Sequence, residues 1–481
     1  MTISRREFLK IGRGAAALAV PKIFRPQLWA ERPNILLMMA DDWNWPHALE
    51  VDDPNILTPT FDRLAREGVR FRNAFVASSS CTPCRASLLT GKHPWTLETG
   101  VHLWGALPAK FEVFTDVLER AGYFVGYCGK GWGPGVLEHT GRSHNPAGRL
   151  KTRTFPEFWN QRPKDKPFCF WFNSPNPHRP YTWRSGLRSG MDPAAVVVPP
   201  IFPDTEETRL DLCDYYFEVQ QFDAECGEVL RFLEEKGELD NTLVVMTGDN
   251  GLPFPRAKMT LYDMGTRVPL TARWPAAIDR GRTVDDLVSL PDLAPTFLEA
   301  AGVEPPEGMT ARSLLGVLKS KKSATVDVTR DRIFSCLEIH CGRYPMRAIR
   351  TRDFLYIRNF EPERPVNLCR EYWESESGYS PTWMAVKSLP HESEIYRRSV
   401  GPRPAEELYD VRKDPYQLHN LALEAHYSSI TARLSAELES ELKRTGDPRI
   451  RGRHEEVFYI PHYENQEKRT TGAPKAGQKA R

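Results

Sequence analysis

Six short stretches carry the side chains that could do chemistry. Cys81-Thr82-Pro83-Cys84-Arg85-Ala86-Ser87-Leu88-Leu89-Thr90-Gly91 holds two thiols and an arginine within five residues. Asp41-Asp42 and Asp249-Asn250 are pairs of hard oxygen donors, each standing at the end of a continuous apolar run. Lys130 and Lys258 lie in glycine-bearing segments, and His178 sits in Pro177-His178-Arg179-Pro180. Cys81 and Cys84 have the spacing of a metal-binding or redox pair, but no second pair at zinc-finger spacing accompanies them. Pro83 can start a helix, so the segment to Thr90 would present Cys81 at a helix N-terminus, an end that favours anions. Either acidic pair alone reads as a loop or cap; the two together, after separate buried strands, read as one site. Isolated lysines are ordinarily solvated surface groups, and it is their order and context that make these two candidates.

The elements that must position these groups follow an alternating grammar. Asn34–Ala40 is a continuous apolar run, as expected of a strand buried on both faces of a parallel sheet. Thr58 reads as the cap of a helix with Pro59 in its first turn and Gly68 as its stop. A helix near 114–121 leads into a strand before Cys128, Pro167–Phe172 is another buried run, and a long helix spans about 206–236. Thr242–Met246 then ends at Asp249-Asn250. Strands alternating with helices, with polar residues just past the strand ends, predict an α/β sheet with its site at the carboxyl edge. From about residue 325 the pattern changes to short strands at 332–337, 346–350 and 354–358, then a helix near 430–443. That reads as a smaller antiparallel sheet with a covering helix.

The eleven-residue string from Cys81 resembles the signature of the formylglycine-dependent (type I) sulfatases, in which the first cysteine is oxidised to formylglycine (3-oxoalanine). The resemblance implies an α/β, alkaline-phosphatase-like sandwich, with a large mixed, mostly parallel sheet flanked by helices. It adds a smaller C-terminal α+β subdomain with an antiparallel sheet. The expected boundaries are 31–324 for the catalytic domain, 325–455 for the subdomain and 456–481 for a basic, disordered tail. It implies Ca2+ (Mg2+ as the substitute) held by Asp41, Asp42, Cys81 as formylglycine, Asp249 and Asn250, an oxygen cage suited to a hard cation rather than zinc. By the same resemblance the formylglycine hydrate would be the nucleophile, Arg85 would stabilise it, Lys130 and Lys258 would hold the sulfate, and His178 would protonate the leaving group. One position departs from the family. Many sulfatases have a histidine two residues after the lysine at 130, and here Trp132 stands there, with His139 and His144 downstream.

The resemblance runs through most of 33–423, and several stretches look closest to the N-sulfoglucosamine sulfohydrolases (sulfamidases, heparan N-sulfatases). By that likeness Arg179, Glu338, His340 and Arg347 are candidates for reading the sugar. The expected substrate is a heparan-type N-sulfated glycan, with an O-sulfate ester as the next choice. Two alternatives stay open: a phosphodiesterase or phosphonate hydrolase of the same superfamily, and a non-catalytic glycan-binding relative.

Composition bounds the rest. The chain has 481 residues, 40% of them hydrophobic, which suits one large domain and a smaller one. Its 65 basic and 63 acidic residues leave a net charge of +2, so a nucleic-acid partner has no support and anions need locally placed cations. Arg5-Arg6 before a short, weakly apolar stretch reads as a twin-arginine signal over 1–30, with the translocase as partner and a periplasmic or secreted destination. About ten apolar residues are too few to span a bilayer, so no stable membrane insertion is expected. A formylglycine-generating enzyme acting on Cys81 is the other implied partner. Nine cysteines is an odd count, and Cys336 and Cys341 are close enough to close a small loop.

Overall fold

The computed structural model describes residues 32–48, 53–364, 373–376 and 378–459. The expected export signal lies outside them. No helix among the described residues is long and apolar enough to cross a membrane.

Eight strands form the large sheet: β1 (Asn34–Ala40), β2 (Val69–Phe75), β3 (Phe124–Tyr127), β4 (Leu150–Lys151), β5 (Phe168–Asn173), β6 (Thr242–Gly248), β7 (Arg267–Arg273) and β8 (Arg282–Ser289). Their order is β4-β3-β5-β1-β6-β7-β2-β8. All neighbours are parallel except β7, which runs against both β6 and β2. β1 is buried along its whole length and lies between β5 and β6, which is why its sequence is a continuous apolar run rather than an alternating one. One apolar cluster fills each side of the sheet: Leu37, Val245 and Trp171 face one layer, Leu36, Val244 and Phe170 the other. The pairing Ala40↔Gly248 aligns the ends of β1 and β6, so Asp41 and Asp249 leave the sheet side by side.

The helix expected at Thr58 is present at Pro59–Glu67, but Thr58 makes no capping bond to it. The amide groups of Thr60 and Phe61 instead donate to the carboxylate of Asp223, at 2.8 and 2.9 Å, from the 30-residue helix Glu206–Glu235. A tertiary cap has replaced the local one.

The smaller sheet comprises β9 (Arg332–Ile339), β10 (Arg343–Thr351), β11 (Phe354–Asn359) and β12 (Glu406–Asp410), all antiparallel, in the order β12-β11-β10-β9. The helix Ser428–Thr445 lays Leu434, Leu438 and Leu442 against Cys336, Ile349, Tyr356 and Leu408. Residues 456–459, expected to belong to the tail, are described: His454–Phe458 is helical and Phe458 is buried in this cluster. The two sheets are tied near the site: the Cys336 amide donates to the Ala77 carbonyl at 2.9 Å, and Arg350 is paired with Asp263 at 3.0 Å. Cys341 is in a disulfide and Cys336 is a free thiol, so the short loop between them is not closed by that pair.

Candidate active site

Four strand ends and one helix start converge at the carboxyl edge of the large sheet. Asp41 and Asp42 follow β1, Lys130 follows β3, Asn173 ends β5, and Asp249-Asn250 follow β6. Cys81 is the first residue of the helix Cys81–Thr90, every residue of which is buried. Gly129 makes the turn after β3 possible: its φ of +66° is one that side chains avoid, and a Cβ there would lie 2.1 Å from the Asn173 carbonyl oxygen. Asp42 itself has a positive φ of 79°, a conformation aspartate tolerates better than most residues.

The acidic cluster is dense. Ligand atoms of Asp41, Asp42, Cys81 and Asp249 all lie within 4.8 Å of one another. The Cys81 Sγ–H donates to Asp41 Oδ1 at 3.4 Å, and the Asp42 amide donates to Asp249 Oδ1 at 3.0 Å. Cations ring the carboxylates. Lys130 Nζ is 2.6 Å from Asp41 Oδ2, Lys258 Nζ is 2.7 Å from Asp42 Oδ2, and Arg85 reaches Asp249 Oδ2 through Nε and its terminal nitrogen, both at 2.8 Å. Arg85 also donates to the Gly131 carbonyl at 2.8 Å and to Asn173 Oδ1, so Asn173 is a part of the site that sequence reasoning did not identify. Its only signal was a polar residue closing an apolar strand.

Charge decides how these groups ionise. Burial alone would raise the Asp41 carboxyl, but Lys130, His178, Arg85 and Lys258 hold it well below the usual carboxylate range. Burial pushes Asp42 up to about 6 despite Lys258, with Asp41 adding to the rise. Burial, then the Asp41 charge, pushes the Cys81 thiol up to about 12, so as a cysteine it is a neutral thiol and a weak nucleophile. His178 is lowered to about 4 by burial and then Lys258. Its Nδ1 donates to the Arg179 carbonyl at 2.5 Å, which leaves Nε2 facing Asp42 Oδ2 at 3.9 Å.

The residues present fit a hard cation. Asp42 Oδ1 and Asn250 Oδ1 are buried with no hydrogen-bond partner, although both belong to fully buried side chains in the middle of the cluster. Unmet buried oxygens on converging carboxylate and amide groups are what an oxygen-coordinated metal would satisfy.

The remaining candidates separate into two groups. His340, at the turn after β9, is brought to the site: its Nδ1 is 2.8 Å from the Ser80 hydroxyl, next to Cys81, and both side chains are buried. Burial, then Lys258, His178 and Lys130, hold it well below its ordinary value. Trp132, in contrast, is fully buried in the apolar layer under the sheet, with Gly135 pressed against its ring. Of the histidines downstream, His144 bonds Asp116 at 3.0 Å and His139 is exposed.

Arg179, Glu338 and Arg347 have their charges committed within the protein. Arg179 makes a two-pronged pair with Asp211 at 2.8 Å and lies between Tyr181 and Phe254. Arg347 bridges Glu338 at 2.6 Å and Asp447 at 2.6 Å, and Arg449 and the Tyr459 hydroxyl both close on Glu338 at 2.7 Å. Glu338 and Arg347 are fully buried, so this expected sugar-reading set is an internal ion network in the structure. Burial would raise the Glu338 carboxyl, but Arg347 and then Arg449 bring it from 4.5 to about 2. A depressed folded-state value stabilises the fold above the unfolded value, and that stability is lost as pH falls from about 4.5 towards 2. Glu338→Gln is therefore expected to cost about 3–5 kcal/mol and to flatten the acid limb of a thermal-melting profile. An unchanged melting temperature with weaker substrate binding would instead return Glu338 to the sugar-reading role.

The sulfatase family model matches residues 33–303, and the model for the C-terminal region of N-sulphoglucosamine sulphohydrolase matches 256–368. The human N-sulphoglucosamine sulphohydrolase is 31% identical over 463 residues, covering 86% of this chain and 91% of that protein. An ulvan-active sulfatase of Formosa agariphila is 28% identical over 470 residues, covering 87% and 76%. Among solved structures, one in complex with its substrate D-glucosamine-2-N,6-O-disulfate aligns with a TM-score of 0.64 at 21% identity, over 86% of this chain and 98% of that one. The phosphonate monoester hydrolase of Agrobacterium radiobacter aligns with a TM-score of 0.66 at 17% identity, over 87% and 97%, and shares the fold.

Proposed function

The chain belongs to the sulfatase family, and from that premise we propose that it removes sulfate from a sulfated sugar, with formylglycine at position 81 and calcium in the acidic cluster. One observation carries the reading: a buried thiol at a helix start, set among three carboxylates, with Asp42 Oδ1 and Asn250 Oδ1 unmet, and ringed by Arg85, Lys130, Lys258 and His178. When present, the formylglycine hydrate supplies one oxygen to attack sulfur and a second to expel sulfate, and calcium supplies a hard Lewis acid.

The chain's own residues do the rest. Asp41, Asp42, Asp249 and Asn250 hold the metal. Arg85 fixes Asp249 from two directions and keeps the helix start in register with β5 and β6. Lys130 and Lys258, already on the rim of the cluster, take the sulfate oxygens in place of part of their carboxylate contacts. His178 keeps its Nδ1 proton on the Arg179 carbonyl, so the proton it delivers to the departing oxygen or nitrogen comes from Nε2. Burial and then Lys258 favour its neutral form, and it gains that proton as the anionic substrate raises its affinity for one. His340 holds the Ser80 hydroxyl and so orients the residue before the nucleophile. Export through the twin-arginine route, after a formylglycine-generating enzyme has acted, fits the sequence.

The N-sulfate of glucosamine is the favoured bond, supported by the similarity to the human sulphohydrolase and by the match at 256–368. The test is release of sulfate, measured by ion chromatography, from glucosamine 2-N-sulfate, glucosamine 6-O-sulfate and ulvan, beside a phosphonate monoester. Sulfate release fastest from the N-sulfate supports the reading. Hydrolysis of the phosphonate without sulfate release from any sugar would overturn it. His340→Ala should lower kcat about tenfold with little change in KM, because it acts through Ser80 and not on the sugar.

A further inference from the structure

A cavity of about 570 Å³, outside the acidic cluster, is lined by Trp183, Tyr379, Met384, Thr205 and Glu207. Two of its aromatic side chains face solvent: Trp183 is 43% exposed and Tyr379 50%. Exposed aromatic faces beside one another are costly unless something covers them in use. The cavity is bound to the catalytic segment. Arg179, the neighbour of His178, donates to the Tyr379 carbonyl at 2.9 Å, and the Asp211 that holds Arg179 also accepts from Thr382 Oγ1 at 2.8 Å and Ser380 Oγ at 3.3 Å. One buried carboxylate thus fixes the loop of the proton donor and the floor of the cavity together.

Two guanidinium groups stand against Trp183, beside the cavity. The Arg184 guanidinium lies 5.9 Å from the Trp183 ring centre, and Arg188 donates to the Trp183 carbonyl at 2.8 Å. Both arginines are exposed, and neither takes part in an ion pair among the described residues. Glu207 and Thr205 line the cavity itself and offer oxygens that sugar hydroxyls can donate to.

Resting on the proposed function, we infer that this cavity is a second sugar subsite. It takes a ring of the sulfated chain beyond the one that loses its sulfate, stacked on Trp183 and Tyr379, with Arg184 and Arg188 facing its sulfates. A flat, amphipathic ring with an apolar C–H face and charged substituents matches aromatic faces flanked by guanidinium groups. The enzyme is then built for an oligosaccharide or polymer rather than for a free monosaccharide.

Calorimetric titration of the calcium-loaded full chain carrying Cys81→Ala, which retains its ligand, tests the subsite. Heparin-derived and ulvan-derived tetrasaccharides are compared with the monosaccharides of each series. In at least one series the tetrasaccharide should bind about tenfold tighter, and Trp183→Ala with Tyr379→Ala should remove that advantage. Trp183→Phe should restore most of it, and both variants should melt with the parent. Equal affinity for long and short sugars in both series, or an advantage that survives the double substitution, overturns the inference. So does a change of oligomeric state in the double variant without a change in sugar binding, which would make the face an interface between copies. Sulfate release by the parent enzyme is measured separately, so that failure of the subsite and failure of the sulfatase reading are told apart.

Discussion

Cys81→Ala is expected to abolish turnover, by about 10⁵-fold or more, while leaving the melting temperature close to that of the parent. The side chain is small and its two contacts, to Asp41 at 3.4 Å and from Asn250 at 3.8 Å, are long ones to sulfur, so little packing is lost. Asp41, Asp42, Asp249 and Asn250, the side chains proposed to hold the metal, all remain. Cys84→Ala is the matched control. Cys84 is also buried, and its thiol is pushed well above its ordinary value by burial and then Asp249, but it faces the apolar layer with Val76 and Leu88. That variant should lose some stability to the cavity it leaves and keep most of its kcat. Turnover retained by Cys81→Ala, or lost equally in both variants, would remove Cys81 from the chemistry.

Arg85→Ala should combine a kcat loss of about 10³-fold with a destabilisation of about 3–5 kcal/mol. The guanidinium is fully buried and joins three strand ends: it reaches Asp249 after β6, Asn173 at the end of β5 and the Gly131 carbonyl beyond β3. Removing it leaves the Asp249 carboxylate buried with one cation fewer, and that uncompensated charge is the larger part of the cost. Arg85→Lys keeps the charge but not the planar fork, and should recover stability more than rate. Measurement of both quantities separates the roles: a variant that loses rate but melts with the parent would assign Arg85 to the reaction alone.

Much of the site was legible in the sequence because strand ends are. A run such as Ile35–Ala40, apolar at every position and too short for a buried helix, reads as a strand covered on both faces, and polar residues at its end emerge at the sheet edge. Asp41-Asp42 and Asp249-Asn250 follow from that reasoning, and the parallel register of β1 with β6 brings them together as expected. The small sheet was read from its short strands, although the fourth, Glu406–Asp410, pairs with β11 across a long insertion that carries the helices Pro381–Lys387 and Glu394–Val400, neither of which the sequence pattern announced.

What stayed hidden depends on contacts distant in sequence. Thr58 has the residue type of a cap, yet Asp223, more than 160 positions away, supplies the bonds. Glu338 and Arg347 have the residue types of a sugar-binding pair, and their true partners, Asp447 and Arg449, are about 100 positions further on. Burial decides between a charged pair that reads a ligand and one that locks two elements together, and sequence spacing carries no measure of burial at those positions. His340 shows the reverse case. Its chain neighbours say nothing about Ser80, but the antiparallel turn between β9 and β10 delivers it there.

The central claim is that residue 81 works as formylglycine. Peptide mass spectrometry across Cys81, on protein produced together with a formylglycine-generating enzyme, tests it most directly. A loss of about 18 Da from the Cys81 peptide, accompanied by sulfate-releasing activity, is the predicted result. An unmodified thiol in a preparation that still releases sulfate would contradict it.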